Sequence, residues 1–108
     1  MPTTTNIAVT ACDNELYLIA LPTTPPTNFQ GAEIVHISSG FNNPVSYSVI
    51  PQSILAPGNY TLVMIGINWG GPQKFTVVLT TGGSPTTYTA PPGTAIGANW
   101  TQAVPITV

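Results

Sequence analysis

The stretch Asn59-Tyr60-Thr61-Leu62-Val63-Met64-Ile65-Gly66-Ile67-Asn68-Trp69-Gly70-Gly71-Pro72-Gln73-Lys74-Phe75-Thr76-Val77-Val78-Leu79-Thr80-Thr81 decides the fold. From Lys74 onward it alternates, with Phe75, Val77 and Leu79 on one face and Lys74, Thr76, Val78 and Thr80 on the other. Successive side chains of a strand point to opposite faces, so this is the pattern of a half-buried strand. The preceding run is apolar with β-branched and aromatic residues and reads as a second strand. Gly70-Gly71-Pro72-Gln73 between them reads as a four-residue hairpin loop that lays the two runs side by side.

Outward from this stretch the same rhythm recurs. β-branched and aromatic runs occupy residues 6–11, 15–21, 32–38, 45–50, 59–69, 74–81, 86–90 and 103–108. Twelve prolines and ten glycines punctuate them, and no window places apolar residues at helical spacing between caps. Val45, Tyr47 and Val49 alternate with Ser46 and Ser48, and Val104, Ile106 and Val108 alternate with Ala103, Pro105 and Thr107. Pro105 cannot donate to a ladder, so its strand belongs at an edge. The expected fold is all-β: an antiparallel β-sandwich, Ig-like or Greek key, of about seven to eight strands in a single domain spanning residues 1–108. A jelly-roll-like barrel is the alternative. Residues 16–21 and 62–67 are apolar on both faces. Such strands either lie centrally with both faces covered or bury their second face against another copy.

Charge is scarce. Asp13, Glu15, Glu33 and Lys74 are the only Asp, Glu, Lys or Arg residues among 108, giving a net charge of −2. An ordinary domain is about one-quarter charged. A single basic residue cannot replace the counterions of a nucleic acid, so nucleic-acid partners are excluded, and anionic membrane surfaces are disfavoured. No apolar run reaches the roughly 18 residues of a transmembrane helix, so no membrane insertion is expected. Weak self-repulsion between nearly neutral copies favours a homo-oligomer. The start, Met1-Pro2-Thr3-Thr4-Thr5, has neither the basic nor the apolar region of a signal peptide. The expectation is a protein that is cytoplasmic, or exported without a cleavable signal visible in this chain, with extracellular action open to it.

The residue types of most reaction chemistries are missing. Cys12 is the one cysteine and His36 the one histidine, so neither a disulfide nor a zinc site is expected. Asp13, Asn14 and Glu15 with Asn42 and Asn43 offer an improvised oxygen cluster, but too few carboxylates for a calcium site to be assigned. No cofactor and no metal is expected. Cys12 adjoins Asp13, whose charge raises a thiol pKa rather than activating it. His36 lies between Val35 and Ile37 on a strand and reads as structural; catalysis would require it within reach of a carboxylate or hydroxyl in a pocket. The chain is read as a non-enzyme.

Strand parity locates a binding site. If successive strands are antiparallel, the connections at 12–14, 39–44, 70–73 and 91–102 gather at one end of the sandwich. That end collects Asp13, Asn14, Glu15, Asn42, Asn43, Trp69, Gln73, Asn99, Trp100 and Gln102. A tryptophan ring takes the apolar face of a pyranose while amide and carboxylate groups bond its hydroxyls. The alternative for either tryptophan is a plug for the core or a subunit contact. The nearly uncharged Thr/Asn/Gly-rich pattern looks generally like small sugar-binding lectins and like Ig-type adhesion or capsid-decoration modules, with no diagnostic motif. The leading expectation is a lectin-like carbohydrate- or glycoconjugate-binding homo-oligomer with its site in these loops. The alternative is a structural, adhesion, coat or decoration module that self-assembles without a small ligand.

Overall fold

The computed structural model describes residues 2–23, 31–40 and 43–108. They form seven strands and one short 3-10 turn: β1 (Thr4–Pro22), β2 (Ala32–Ser39), β3 (Tyr47–Val49), η1 (Pro51–Ser53), β4 (Asn59–Asn68), β5 (Lys74–Thr81), β6 (Ser84–Thr89) and β7 (Gly97–Thr107). All pairings are antiparallel, and the sheet curls so that its two halves face each other in a β-sandwich.

β1 organises both layers. Its first half pairs with β5 on one side and β3 on the other, and its second half pairs with β4 and β2. The runs at 6–11 and 15–21, expected as two strands with a turn at 12–14, are therefore one 19-residue strand. A bulge between Val9 and Ala11 explains how one strand serves two layers. The extra residue switches the inward positions from Ile7 and Val9 to Cys12, Leu16, Leu18 and Ala20. Asp13, expected on an exposed turn, is instead buried in the middle of this strand.

The hairpin expected at 70–73 does not exist. β4 pairs with β1 and β7, and β5 pairs with β1 and β6, so both edges of each are filled by other strands. β4 and β5 run end to end along β1, separated by the corner at 69–73. Polar bonds hold that corner open: the Trp69 amide donates to Asn14 Oδ1 (2.7 Å), and the Gln73 amide donates to the Gly93 carbonyl (2.9 Å). The tight hairpin lies at Gly82-Gly83, where φ values of 58° and 80° suit the turn that joins twisted strands. Likewise β2 and β3 follow one another along the other flank of β1, and β6 and β7 follow β5 and β4. The molecule is thus a four-stranded ribbon of long strands, creased at 13–14, 40–46, 69–73 and 90–96. The connection 50–58, with buried Pro51 and a bond from Gln52 Nε2 to the Thr4 carbonyl (2.9 Å), carries the chain from one flank of β1 to the other.

Alternation in β5 follows the sequence, with Phe75, Val77 and Leu79 buried. Ile106 and Val108 are buried as well, and Pro105 lies in β7, which pairs only with β4 among the described residues. The doubly apolar runs are central strands. Their inward residues Leu16, Leu18, Leu62 and Met64 are fully buried, while Tyr17, Ile19, Val63, Ile65 and Ile67 are half-buried on the outer face. Phe75 of one layer stacks on Trp100 of the other, with ring centroids 5.9 Å apart. No helix of the described residues is long and apolar enough to cross a membrane.

Candidate functional site

A cluster of hydrogen-bonded side chains joins β1, β2 and the 69–73 corner beside the crease. On β1, Glu15 points outward, and its carboxylate accepts three hydrogen bonds. Trp69 Nε1 donates to Oε1 (3.0 Å), Tyr17 Oη donates to Oε2 (3.3 Å), and His36 Nε2 lies 2.6 Å from Oε2. The register pairs Tyr17 with His36, and their rings stack at 4.1 Å with an interplanar angle of 10°. Glu33 Oε1 lies 3.6 Å from the other imidazole nitrogen, too far for a hydrogen bond. Trp69 is fixed at two points, by its amide on Asn14 and its indole on Glu15, yet its side chain stays 60% exposed. A Cβ at Gly70 or Gly71 would meet no atom within 4 Å outside the adjacent residues, so the chain following Trp69 borders open space.

The hydrogen bond from His36, followed by that from Trp69, holds the Glu15 carboxyl below the usual glutamate range. Burial, then the Glu15 charge, pushes the Tyr17 phenol up. Because the folded-state value of Glu15 is depressed, its contribution to stability is present above the unfolded value and lost as pH falls through the folded one. Wild type should therefore lose stability more steeply than Glu15→Gln as the pH falls through and below the ordinary glutamate value of about 4.3. Urea midpoints of both proteins across that window check this; parallel curves would contradict it.

The other expected site residues have separate places. Trp100 is 5% exposed and belongs to the core, so it offers no face to a ligand. Gln73 is buried and donates from Nε2 to the Pro91 carbonyl (2.9 Å), tying two corners of the crease together. Asn99 and Gln102, expected in a loop, are inside β7; Asn99 bonds the Ala95 carbonyl, and Gln102 pairs with Met64. Asp13 and Asn43 line a cleft of about 350 Å³ beside β1, apart from the Glu15 cluster. Asn42 lies outside the described residues.

Tyr17, His36 and Glu33 were not anticipated beside Glu15 and Trp69. Their signal was present in part: Glu15 and Tyr17 share a face at a spacing of two, but the partner register was unknown. His36 meets a carboxylate, although on an open sheet surface with its side chain 43% exposed rather than in a pocket. Burial, followed by the Asp13 charge, pushes the Cys12 thiol up to about 11, which leaves it a poor nucleophile. Among the described residues no group of three or more His, Cys, Asp or Glu side chains is placed to hold a metal ion. Compared with known protein families, with curated proteins and with solved structures, the chain finds no match.

Proposed function

We propose that the chain is a non-catalytic carbohydrate-binding protein whose stacking platform is Trp69. The observation that carries this reading is an indole 60% exposed to solvent and yet held by hydrogen bonds at its backbone and its ring. An aromatic side chain is costly to leave in water, and one fixed in advance loses little entropy when it meets a ligand. Asn14, Glu15 and the exposed Glu33 supply polar groups for hydroxyls, and the stacked Tyr17 and His36 share the Glu15 carboxylate with the Trp69 indole. Several copies in a homo-oligomer would multiply a weak single-site affinity.

Trp69→Ala should weaken binding on a glycan array by about thirtyfold, the ~2 kcal/mol scale of an aromatic hot spot. Its thermal midpoint should change little, because Trp69 is exposed. Silence of the wild-type protein across a broad array would sink the reading. Trp100→Ala is no test of sugar contact, since it removes a core side chain.

The outer face favours a second reading. Tyr17, Ile19, Val63, Ile65 and Ile67 form a half-exposed apolar stripe on the β1–β4 layer. A self-assembling structural, adhesion or coat module would bury that stripe between copies. Light scattering separates a closed small oligomer from an open assembly.

A further inference from the structure

Gly58 and Val108 exchange both of their backbone hydrogen bonds, at 2.8 Å each, just beyond the register that joins β4 to β7. Bonded and non-bonded pairs alternate along an antiparallel ladder. Tyr60 with Ile106, Leu62 with Val104, and Met64 with Gln102 are therefore the bonded pairs. Thr101, Ala103, Pro105 and Thr107 turn their backbone groups away from β4, toward a side where no strand pairs among the described residues. This parity also accounts for Pro105. The N–H it lacks would have faced outward, so the ladder to β4 loses nothing.

An open sheet edge is normally short, charged or interrupted. Among the edge strands of the described residues, β3 has three residues, β6 has six with Pro85 as its second, and β2 carries Glu33 and His36. β7 has eleven residues and no charged side chain. Its two interruptions are Pro105 and Asn99, the extra residue of the bulge opposite Gly66 and Ile67. Each lies three residues from Gln102.

That spacing fits β7 to itself. In an antiparallel pair about a twofold axis through Gln102, Asn99 of one copy meets Pro105 of the other. Both interruptions then fall at the ends, and the ladder between them is unbroken. Thr101 faces Ala103 of the second copy and Ala103 faces its Thr101, which places four N–H···O=C bonds across the axis. A shift by two residues either way sets Pro105 against Thr101 or Asn99 against Ala103. The burial of Trp100 and Ile106 marks the inner face of β7, which half-buried Gln102 and Val104 share. There Val104 meets Trp100 of the second copy, and Gln102 meets its own counterpart. A side-chain amide both donates and accepts, so two facing glutamines satisfy each other. A net charge of −2 adds little repulsion between copies.

We infer that the open edge of β7 is a dimerisation surface that takes β7 of a second copy of this chain, antiparallel and centred on Gln102. The contact does not use Trp69, so it stands or falls separately from the sugar platform. One pair of edges buries less than the ~1,200 Å² at which standard interfaces begin, so the dimer forms in a concentration-dependent equilibrium.

The test is sedimentation equilibrium of the full chain from about 10 μM to about 1 mM, a range that reaches weak association. The mass should rise from one copy toward two and no further. Ala103→Pro, at an exposed position, removes an outward N–H at the same parity as Pro105 and leaves the β4 ladder intact. It should weaken the dimer by about tenfold or more, because two of the four bonds across the axis are lost, while the thermal midpoint shifts little. Gln102→Cys reads the register without relying on the proline variant. Facing residues of a non-bonded pair bring their Cα atoms to about 4.5 Å, within disulfide range, so mild oxidation should join two copies there. Thr101→Cys, which faces Ala103 of the second copy, should not join to itself, and the native Cys12 is buried. A chain that stays monomeric at about 1 mM overturns the inference. So does association unchanged by Ala103→Pro, or oxidation that joins copies through position 101 as readily as through position 102.

Discussion

Phe75→Ala should lower stability by about 3–5 kcal/mol, read as a fall in the urea midpoint. Phe75 is fully buried, pairs with Cys12 of β1, and stacks on Trp100 of the facing layer. Its ring also explains a glycine. A Cβ on Gly66 of β4 would sit 2.8 Å from Phe75 Cδ2 and Cε2. The Phe75 ring has little room to retreat, because it is fully buried and stacked on Trp100, the register partner of Gly66 on β7. Gly66→Ala alone should therefore cost about 1–3 kcal/mol by overpacking. With Phe75→Ala already made, the added methyl enters the vacated space, so the double mutant should be more stable than the sum of the two costs by about 1–2 kcal/mol. Strict additivity would show that the Gly66–Phe75 approach is not what excludes a side chain there.

The second large effect belongs to Asn68. It is fully buried at the end of β4; its Nδ2 donates to the carbonyls of Gly71 (2.8 Å) and Ala95 (3.0 Å), and its Oδ1 accepts from the Gly70 amide (3.3 Å). One side chain thus fastens the 69–73 corner to the 90–96 corner. Asn68→Ala should cost about 2–4 kcal/mol, since it leaves backbone groups without partners and a small void. Asn68→Asp keeps the acceptor but turns a charge toward two carbonyl oxygens. It should be at least as destabilising at neutral pH, and regain part of the loss as the pH falls and the new carboxyl takes up a proton. An aspartate variant as stable as wild type at neutral pH would contradict the role assigned to Nδ2.

The strands were legible because their cause is local. Phe75, Val77 and Leu79 alternate in the chain and are buried in the fold, and Pro105 announces an edge by lacking a donor. Pairing is not local, and there the reading went wrong. Gly70-Gly71-Pro72-Gln73 has turn composition, but a corner between collinear strands and a hairpin draw on the same residues. Only the competition for strand edges, won by β1, β6 and β7, separates the two outcomes. The two tryptophans could not be told apart for a similar reason. Trp100 is drawn inward by Phe75, 25 residues away, while Trp69 is held outward by Asn14 and Glu15, more than 50 residues away. Parity nevertheless placed Asp13, Glu15, Trp69 and Gln73 near one line, because the crease cuts every long strand of the ribbon. The expected loop end is, in the fold, this crease.

A strand shared by two layers also constrains how the chain is made. β1 is synthesised before every strand that pairs with it, and β2 and β3 can pair with it early. Its other flank waits for β4 and β5, and Thr4 finds its partner only when Thr81 has been synthesised. Until then a 19-residue, largely apolar strand presents an open edge with two charged side chains, Asp13 and Glu15, to deter other chains. A nascent chain halted before β5 should therefore be held by chaperones or aggregate, and release of β5 should end that vulnerability.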